Sequence, residues 1–347
     1  MIVSSAVGPS ACALDMPETE LNVTLVVPTL NRPQYLRTTL ESVTAQNEES
    51  LEILVSDNGS SADTAKVVAE FQRRDHRIVA RTNPETVDII THWNQCLNLA
   101  RGRYFMLLSD DDCLSRDYVR RLSNLMNQDP KIAVAFGKNL VIDRIGTVQR
   151  QAGGWNSGVY PGIDVVLDWL WLRRLPSETL LSMMVRTKAF REAGGFPSLY
   201  SGNNSDNAAF LALALEGFVA FDNTVTFSYR VYLESVGLAC PWHYVARSAR
   251  DMKRWFQDQC TQRRGFKSLS SVRQHELKAA LNHMLEQQVL DRLFTVYRGR
   301  LGFFDWIRVP CSCGWEWRTV RTMLGGMGRL AKAHVREMLG TGPQRPT

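Results

Sequence analysis

Two apolar rhythms alternate along the first third of the chain. Val23–Pro28 (VTLVVP) is a short β-branched run closed by proline, the pattern of a buried parallel strand. Gln34 to Gln46 then sets Leu36, Leu40 and Val43 on one helical face. The same exchange repeats with a strand over Leu51–Ser56, a helix over Asp63–Arg74 and a strand over Arg77–Arg81. A helix over Asp88–Ala100 and a strand over Tyr104–Leu108 complete it. Alternation of this kind predicts an α/β fold with a mostly parallel sheet flanked by helices. Beyond Lys131 the pattern predicts strands over Ile132–Phe136, Leu140–Asp143, Phe218–Phe221 and Thr224–Tyr229. Helices are predicted over Asp164–Arg174, Lys188–Ala193 and Asp206–Gly217. After Cys240 the chain reads as helix-rich, through Arg247–Gln262, Val272–Tyr297 and Trp317–Leu339. The expected organisation is a loose leader over 1–20, an α/β domain over 21–239 with halves at 21–115 and 116–239, and a helical basic region over 240–347.

Charge divides the 347 residues unevenly. From Cys240 onward stand 19 Lys and Arg against 8 Asp and Glu, a net of +11, which leaves −5 on the remainder of a chain of net +6. A basic tail of this kind suits an anionic surface such as membrane phospholipid or a lipid-linked substrate; the competing reading is a solvated helical face. Phe303, Phe304, Trp306, Trp315 and Trp317 lie among Arg308, Arg318, Arg321 and Lys332, a mixture that fits a membrane interface, or a subdomain packed on the core or on a homodimer partner. No nucleic-acid-binding module is recognisable. Seven irregularly spaced cysteines argue against a disulfide framework, and Cys311-Ser312-Cys313 lacks a second Cys/His pair for zinc. No apolar run reaches the length of a transmembrane helix, and residues 1–20 lack the basic start of a secretory signal.

The polar clusters at 28–32, 57–60 and 109–112 each follow a strand directly, so they are expected to meet on one rim of the sheet. Asp110-Asp111-Asp112 are three adjacent carboxylates, tolerable in water or where a cation neutralises them. On a ligand-binding rim they read as a metal–diphosphate site, since Mg²⁺ or Mn²⁺ takes one or two protein oxygens when phosphates supply the rest. The alternative is a solvated turn or helix cap. Asp57 is either a nucleobase or ribose acceptor or part of a plain turn, with Gly59 allowing the bend. Asp206, at the start of an apolar helix, is either a cap or a general base.

The runs VVPTLNRPQYLRTTLESVTAQ (26–46), VSDNGS (55–60), HWNQCLNLARGRYFMLLSDDD (92–112), GGFP (194–197) and SD (205–206) together resemble the family 2 glycosyltransferases of GT-A fold. The likeness spans roughly residues 21–232. It implies a GT-A type, Rossmann-like sheet with a helical C-terminal extension, and an inverting sugar transferase. Pro28, Thr29, Asn31 and Arg32 would line the nucleotide site, Asp57 would hold the base, and Trp93 and Asn94 would lie near the donor. Asp110, Asp111 and Asp112 would occupy the acidic metal motif, Asp110 and Asp111 at the nucleotide sugar with Asp111 toward the ribose or donor sugar, and Asp112, in the favoured of three registers, binding Mg²⁺ or Mn²⁺; Asp206 would be the catalytic base. The implied partners are a nucleoside-diphosphate sugar and a saccharide or lipid-linked saccharide acceptor. The implied setting is surface polysaccharide or glycolipid assembly in the cytoplasm, peripheral to the inner face of the plasma membrane. Three departures stand out: Ser109 replaces the usual first Asp of the acidic motif, Ser205 replaces the Glu before the base, and Tyr229-Arg230-Val231-Tyr232 ends in Tyr where the family pattern has His. The rival readings are a nucleotidyltransferase, which would carry glycines at 28–32, and a non-catalytic scaffold of the same fold.

Overall fold

The computed structural model describes residues 21–151, 154–171, 181–232 and 240–296, with side chains described as far as 292. The predicted helix over Trp317–Leu339, the leader, the aromatic-basic tail and Cys311–Cys313 lie outside these residues.

Strands β1 (Val23–Thr29), β2 (Leu51–Asp57), β3 (Ile78–Thr82) and β4 (Tyr104–Leu107) form a parallel group in the order β3-β2-β1-β4. Every residue of β2 is buried, as its near-continuous apolar run requires of a strand covered on both faces. Helices α1 (Pro33–Thr44), α2 (Ala62–Arg74) and α3 (Ile89–Leu99) make the crossovers. Pro33 opens α1 at a position where its missing N–H costs no helical hydrogen bond. Because the strands are parallel, their carboxyl ends lie side by side, with Thr29 opposite Asp57 in the register.

The sheet continues beyond β4 in mixed orientation. Two-residue β5 (Cys113–Leu114) and helix α4 (Tyr118–Gln128) lead to β6 (Ile132–Ile142), β7 (Val148–Gln151) and β8 (Gly158–Pro161). Then come α5 (Gly162–Leu170), β9 (Met184–Arg186), α6 (Thr187–Glu192), α7 (Ser205–Ala214) and β10 (Phe218–Arg230). The order runs β4-β9-β6-β10-β5, with β9 antiparallel to both neighbours and β6 parallel to β10. Where the pattern predicts two strands over 132–143 and two over 218–229, each pair is one long strand. In β10 the polar Asp222-Asn223 interruption is absorbed by a register shift against β6.

The C-terminal helices begin earlier than the periodicity predicts: α8 spans Trp242–Asp258, and the short α9 (Arg264–Lys267) precedes α10 (Ser271–Val296). Val245, Met252, Trp255, Leu281 and Met284 belong to the same apolar cluster as Val26, Leu54 and Phe136 of the sheet. The helical region and the α/β region therefore share one core. No helix among the described residues is long and apolar enough to cross a membrane.

Candidate active site

The loops after β1 and β2 are tied together before any side chain reaches the rim. The Asn58 N–H donates to the Thr29 carbonyl at 2.9 Å. Asn31, with a left-handed φ of 56°, accepts from the Ser61 N–H at 2.8 Å and donates its own N–H to Ser60 Oγ at 2.9 Å. Left-handed backbone is tolerated by Asn better than by most residues, so the bend that brings these loops together is encoded locally. Asp57 Oδ1 accepts from the Ser60 N–H at 2.9 Å, and Gly59 (φ 84°) completes the turn. One face down, Ser56 Oγ pairs with His92 Nε2 at 2.8 Å, joining β2 to α3. Burial holds that imidazole below its ordinary pKa, partly offset by the charge of Asp57.

The three aspartates follow β4 and meet the first loop at once. Thr29 Oγ1 donates to Asp110 Oδ2 at 2.7 Å, and Arg32 Nη1 bridges Asp110 (3.2 Å) and Asp111 (3.0 Å). Asp111 also accepts from the Tyr232 hydroxyl at 2.8 Å, and the Tyr232 ring leans on Tyr35 with centroids 5.0 Å apart. Asp112 is 1 % exposed. Its Oδ1 accepts from the Arg230 N–H at 2.8 Å, while its Oδ2 has no partner among the described residues. Arg230 also donates from Nε to the Asp111 carbonyl at 2.7 Å and from Nη1 to the carbonyls of Asp143 and Arg144. Burial pushes the Asp110 carboxyl up to about 6 despite Arg32, and raises that of Asp112 well above the carboxylate range, with Asp111 adding repulsion. A buried anion with one orphaned oxygen is costly unless a cation or proton meets it.

Among the described residues no three His, Cys, Asp or Glu groups converge as a ready-made metal cage. The donor set still fits a hard divalent cation. Asp112 Oδ2 is a buried carboxylate oxygen without a hydrogen-bond partner among the described residues, and a cation that takes most of its ligands from phosphates needs little more.

Asp206 lies in the first turn of α7. No described side chain pairs with it. It keeps some solvent contact, yet the protein packed round it pushes its carboxyl up to about 6, partly offset by the backbone N–H groups of Asn207 and Asp206. The turn that presents it passes through Asn204 in left-handed conformation (φ 64°).

The structure thus brings together Thr29, Arg32, Asp110, Asp111 and Asp112, with Asn31 and Asp57 joined to them through the braced loops. Pro28 lies within β1, one residue before the rim. Trp93 and Asn94 are engaged elsewhere. The Trp93 ring packs edge-on against Phe196 at 5.1 Å, and Asn94 exchanges two hydrogen bonds of 2.9 Å with the Phe196 backbone. They hold the Gly194–Pro197 loop in place. Arg230 and Tyr232 enter the site although the sequence assigns them no role there. Their signal is the Tyr229-Arg230-Val231-Tyr232 run, in which Arg230 ends β10 and Tyr232 follows it.

A twisted, mostly parallel half-sheet with an acidic rim, continued by mixed strands and a basic helical region, defines the GT-A type of fold. Residues 24–182 match the family described as glycosyl transferase family 2. Among curated proteins, the chain is 33 % identical over 100 residues to the glycosyltransferase GlyA of Streptococcus pneumoniae, covering 29 % of this chain and 14 % of that protein. It is 32 % identical over 133 residues to the GalNAc(5)-diNAcBac-PP-undecaprenol β-1,3-glucosyltransferase of Campylobacter jejuni, covering 38 % and 42 %. The matched stretch thus spans less than half the length of either relative. Among solved structures, S. aureus TarS in complex with UDP-GlcNAc superposes with a TM-score of 0.62 at 13 % identity over 84 % of this chain and 79 % of that one. The mannosyltransferase PcManGT of Pyrobaculum calidifontis, in complex with GDP-Man and Mn²⁺, gives 0.51 at 13 % over 94 % and 89 %. At such identities the likeness is one of fold.

Proposed function

We propose that this chain transfers a sugar from a nucleoside-diphosphate sugar to a hydroxyl acceptor with inversion at the anomeric carbon. The observation that carries the reading is the convergence of the β1, β2 and β4 loops on one rim, where Asp112 keeps a free, buried oxygen. In this reading Asp57 accepts hydrogen bonds from the nucleobase, and Thr29, Asn31 and Arg32 flank the diphosphate. Asp112, through Oδ2, would hold Mg²⁺ or Mn²⁺, which when bound supplies charge neutralisation for the departing diphosphate. Asp206 accepts the proton of the attacking hydroxyl, its raised pKa suiting it to proton transfer near neutrality. One base and one direct displacement give inversion. The named transferases among the relatives, and the nucleotide sugars named with the fold neighbours, support this choice of substrate class. Assembly of a surface polysaccharide or glycolipid, with the basic helical region toward an anionic membrane, is the setting that best fits the charge asymmetry.

The test is a panel of UDP- and GDP-sugars incubated with the full chain, with Mg²⁺, Mn²⁺ or a chelator, reading nucleoside diphosphate release and calorimetric binding. Metal-dependent release or binding of at least one donor is expected. Absence of both across the panel overturns the proposal.

A further inference from the structure

A cluster of aromatic side chains lies on the chain segments that frame Asp206. Tyr200 opens the single helical turn Tyr200–Gly202, three residues before α7, and Tyr244 lies in the first turn of α8. Their rings meet edge to face with centroids 5.1 Å apart. His243 lies 4.8 Å from Tyr244 and 5.8 Å from Trp242, centroid to centroid. The Arg247 guanidinium sits 4.0 Å over the Tyr200 ring, a cation–π contact that fixes that ring. Yet the cluster faces solvent: Tyr244 is 37 % exposed, and His243 and Arg247 are exposed as well.

This surface is coupled mechanically to Asp206. Ser248, one helical turn beyond Tyr244 on α8, donates to the Asn203 carbonyl and accepts from Asn204 Nδ2 at 3.4 Å. Asn203 Nδ2 also donates to Cys240 Sγ at 3.1 Å. The two residues that lead the chain into Ser205 and Asp206 are therefore pinned to the helix that carries Tyr244. Tyr200 is pinned by Arg247 from the same helix. The Tyr244 ring is thereby tied to the segment that leads into Asp206, and a ring held in place suits recognition that must align a hydroxyl with a base.

The chemistry of the surface selects its ligand. A tyrosine ring presents a π face of negative potential with little side-chain entropy to lose. Its complement is a rigid ring whose C–H bonds lie on one face and whose hydroxyls lie round the edge, which describes a pyranose. We propose that the exposed Tyr244 ring, braced by Tyr200 and Arg247, is a stacking platform for a saccharide acceptor and presents one of its hydroxyls to Asp206. The platform deepens the transferase reading given above, and the assignment of an acceptor rests on that reading.

Saturation-transfer NMR on the full chain, with methyl β-D-glucopyranoside, methyl β-D-galactopyranoside and N-acetylglucosamine as probes, reads the platform without any transfer reaction. Saturation is expected on the axial C–H protons of one sugar face for at least one probe. Tyr244→Ala should reduce it about three- to tenfold, the range of an aromatic contact, and Tyr244→Phe should retain it. UDP and GDP binding, measured on the same samples, should be equal in all three proteins. No saturation in the wild type, or equal saturation in Tyr244→Ala, overturns the platform. Loss of nucleotide binding in the wild type counts instead against the transferase reading and leaves the sugar contact to be judged by its own signal. An unchanged melting temperature in Tyr244→Ala confirms that the readout is a contact and not unfolding.

Discussion

Two acidic places in this molecule meet the same penalty in different ways. On the rim, Asp110, Asp111 and Asp112 are buried together and are met by Arg32, Arg230, Thr29 and Tyr232. At the first turn of α7, Asp206 is crowded by protein and has no side-chain partner among the described residues. Desolvation is the leading cause of the raised pKa at both Asp110 and Asp206, and each lies at about 6. The difference lies in what can relieve it. The rim carries a cationic side chain that a ligand can displace and an oxygen left open, as a site for cation and phosphate requires. Asp206 can be relieved only by a proton, as a base requires. Equal shifts with unequal partners therefore separate two chemical roles that the word "acidic" would merge.

The largest test of that separation is Asp206→Asn. Loss of a positioned base is expected to lower turnover about 10²–10⁴-fold while donor affinity stays within a factor of about two. In the wild type, kcat/KM should fall about tenfold per pH unit below pH 6, because only the deprotonated carboxylate accepts a proton. Stability supplies an independent readout. A carboxyl raised from its ordinary value to about 6 favours folding fully at a pH below that ordinary value, and the contribution is lost as pH rises through 6. Asp206→Asn should therefore stabilise the protein at pH 8 relative to wild type by about 1–3 kcal/mol, with the gain vanishing near pH 3.5. A variant with normal turnover, or one equally stable at both pH values, breaks the contrast.

Asp112→Asn tests the other side. The amide can keep the acceptor for the Arg230 N–H and removes the charge at the orphaned oxygen. Transfer is expected to fall about 10²–10³-fold, the scale of a lost electrostatic contact to developing charge. Calorimetric binding of Mn²⁺ with UDP or GDP should weaken, while nucleotide binding without metal persists. Wild-type metal titration in this variant would place the cation elsewhere.

How far the sequence reveals this arrangement depends on the range of the contacts. The parallel half is legible because strand period, proline closure and turn residues are local signals; its boundaries agree with the pattern to within two residues. Strand β9 is three residues long and antiparallel between β4 and β6, so only tertiary pairing defines it. Helix α4 is different: Tyr118, Val119, Leu122 and Met126 carry helical spacing, so its signal is local. Meeting of the rim loops follows from the parallel topology. The contribution of Arg230 does not, because its N–H reaches Asp112 across 118 positions of sequence. Asp206 is recognisable as a residue but not as a base, since burial, not spacing, gives it a raised pKa.

Asn94→Ala asks whether the loop before α7 is supported from α3. Both amide atoms of Asn94 are spent on the Phe196 backbone, and a Cβ on Gly195 (φ 68°) would stand 2.4 Å from Asn94 Oδ1. Truncation leaves the Phe196 N–H and C=O without their partner, so a loss of about 1–3 kcal/mol in chemical denaturation is expected. Donor affinity should move less than stability. A large loss of donor affinity with unchanged stability would instead assign Asn94 to the donor.

The smallest expected effect, Arg32→Gln, sharpens the comparison most finely. The Arg32 side chain is 27 % exposed, so its two carboxylate contacts are screened and are worth about 1 kcal/mol or less to the free protein. If its place is exchangeable with a ligand's charge, the guanidinium is free to turn to phosphate when the nucleotide enters, and that contact is charge-assisted on both sides. The melting temperature should then barely move while affinity for UDP or GDP falls about tenfold. A strut would show the reverse, with stability lost and affinity kept, because its work would be done before any ligand arrives. Asp206 offers no such exchange, so the same pair of measurements on Asp206→Asn should show unchanged nucleotide affinity and a stability that depends on pH. The two substitutions together distinguish a carboxylate cluster that trades cations from a carboxylate that trades protons.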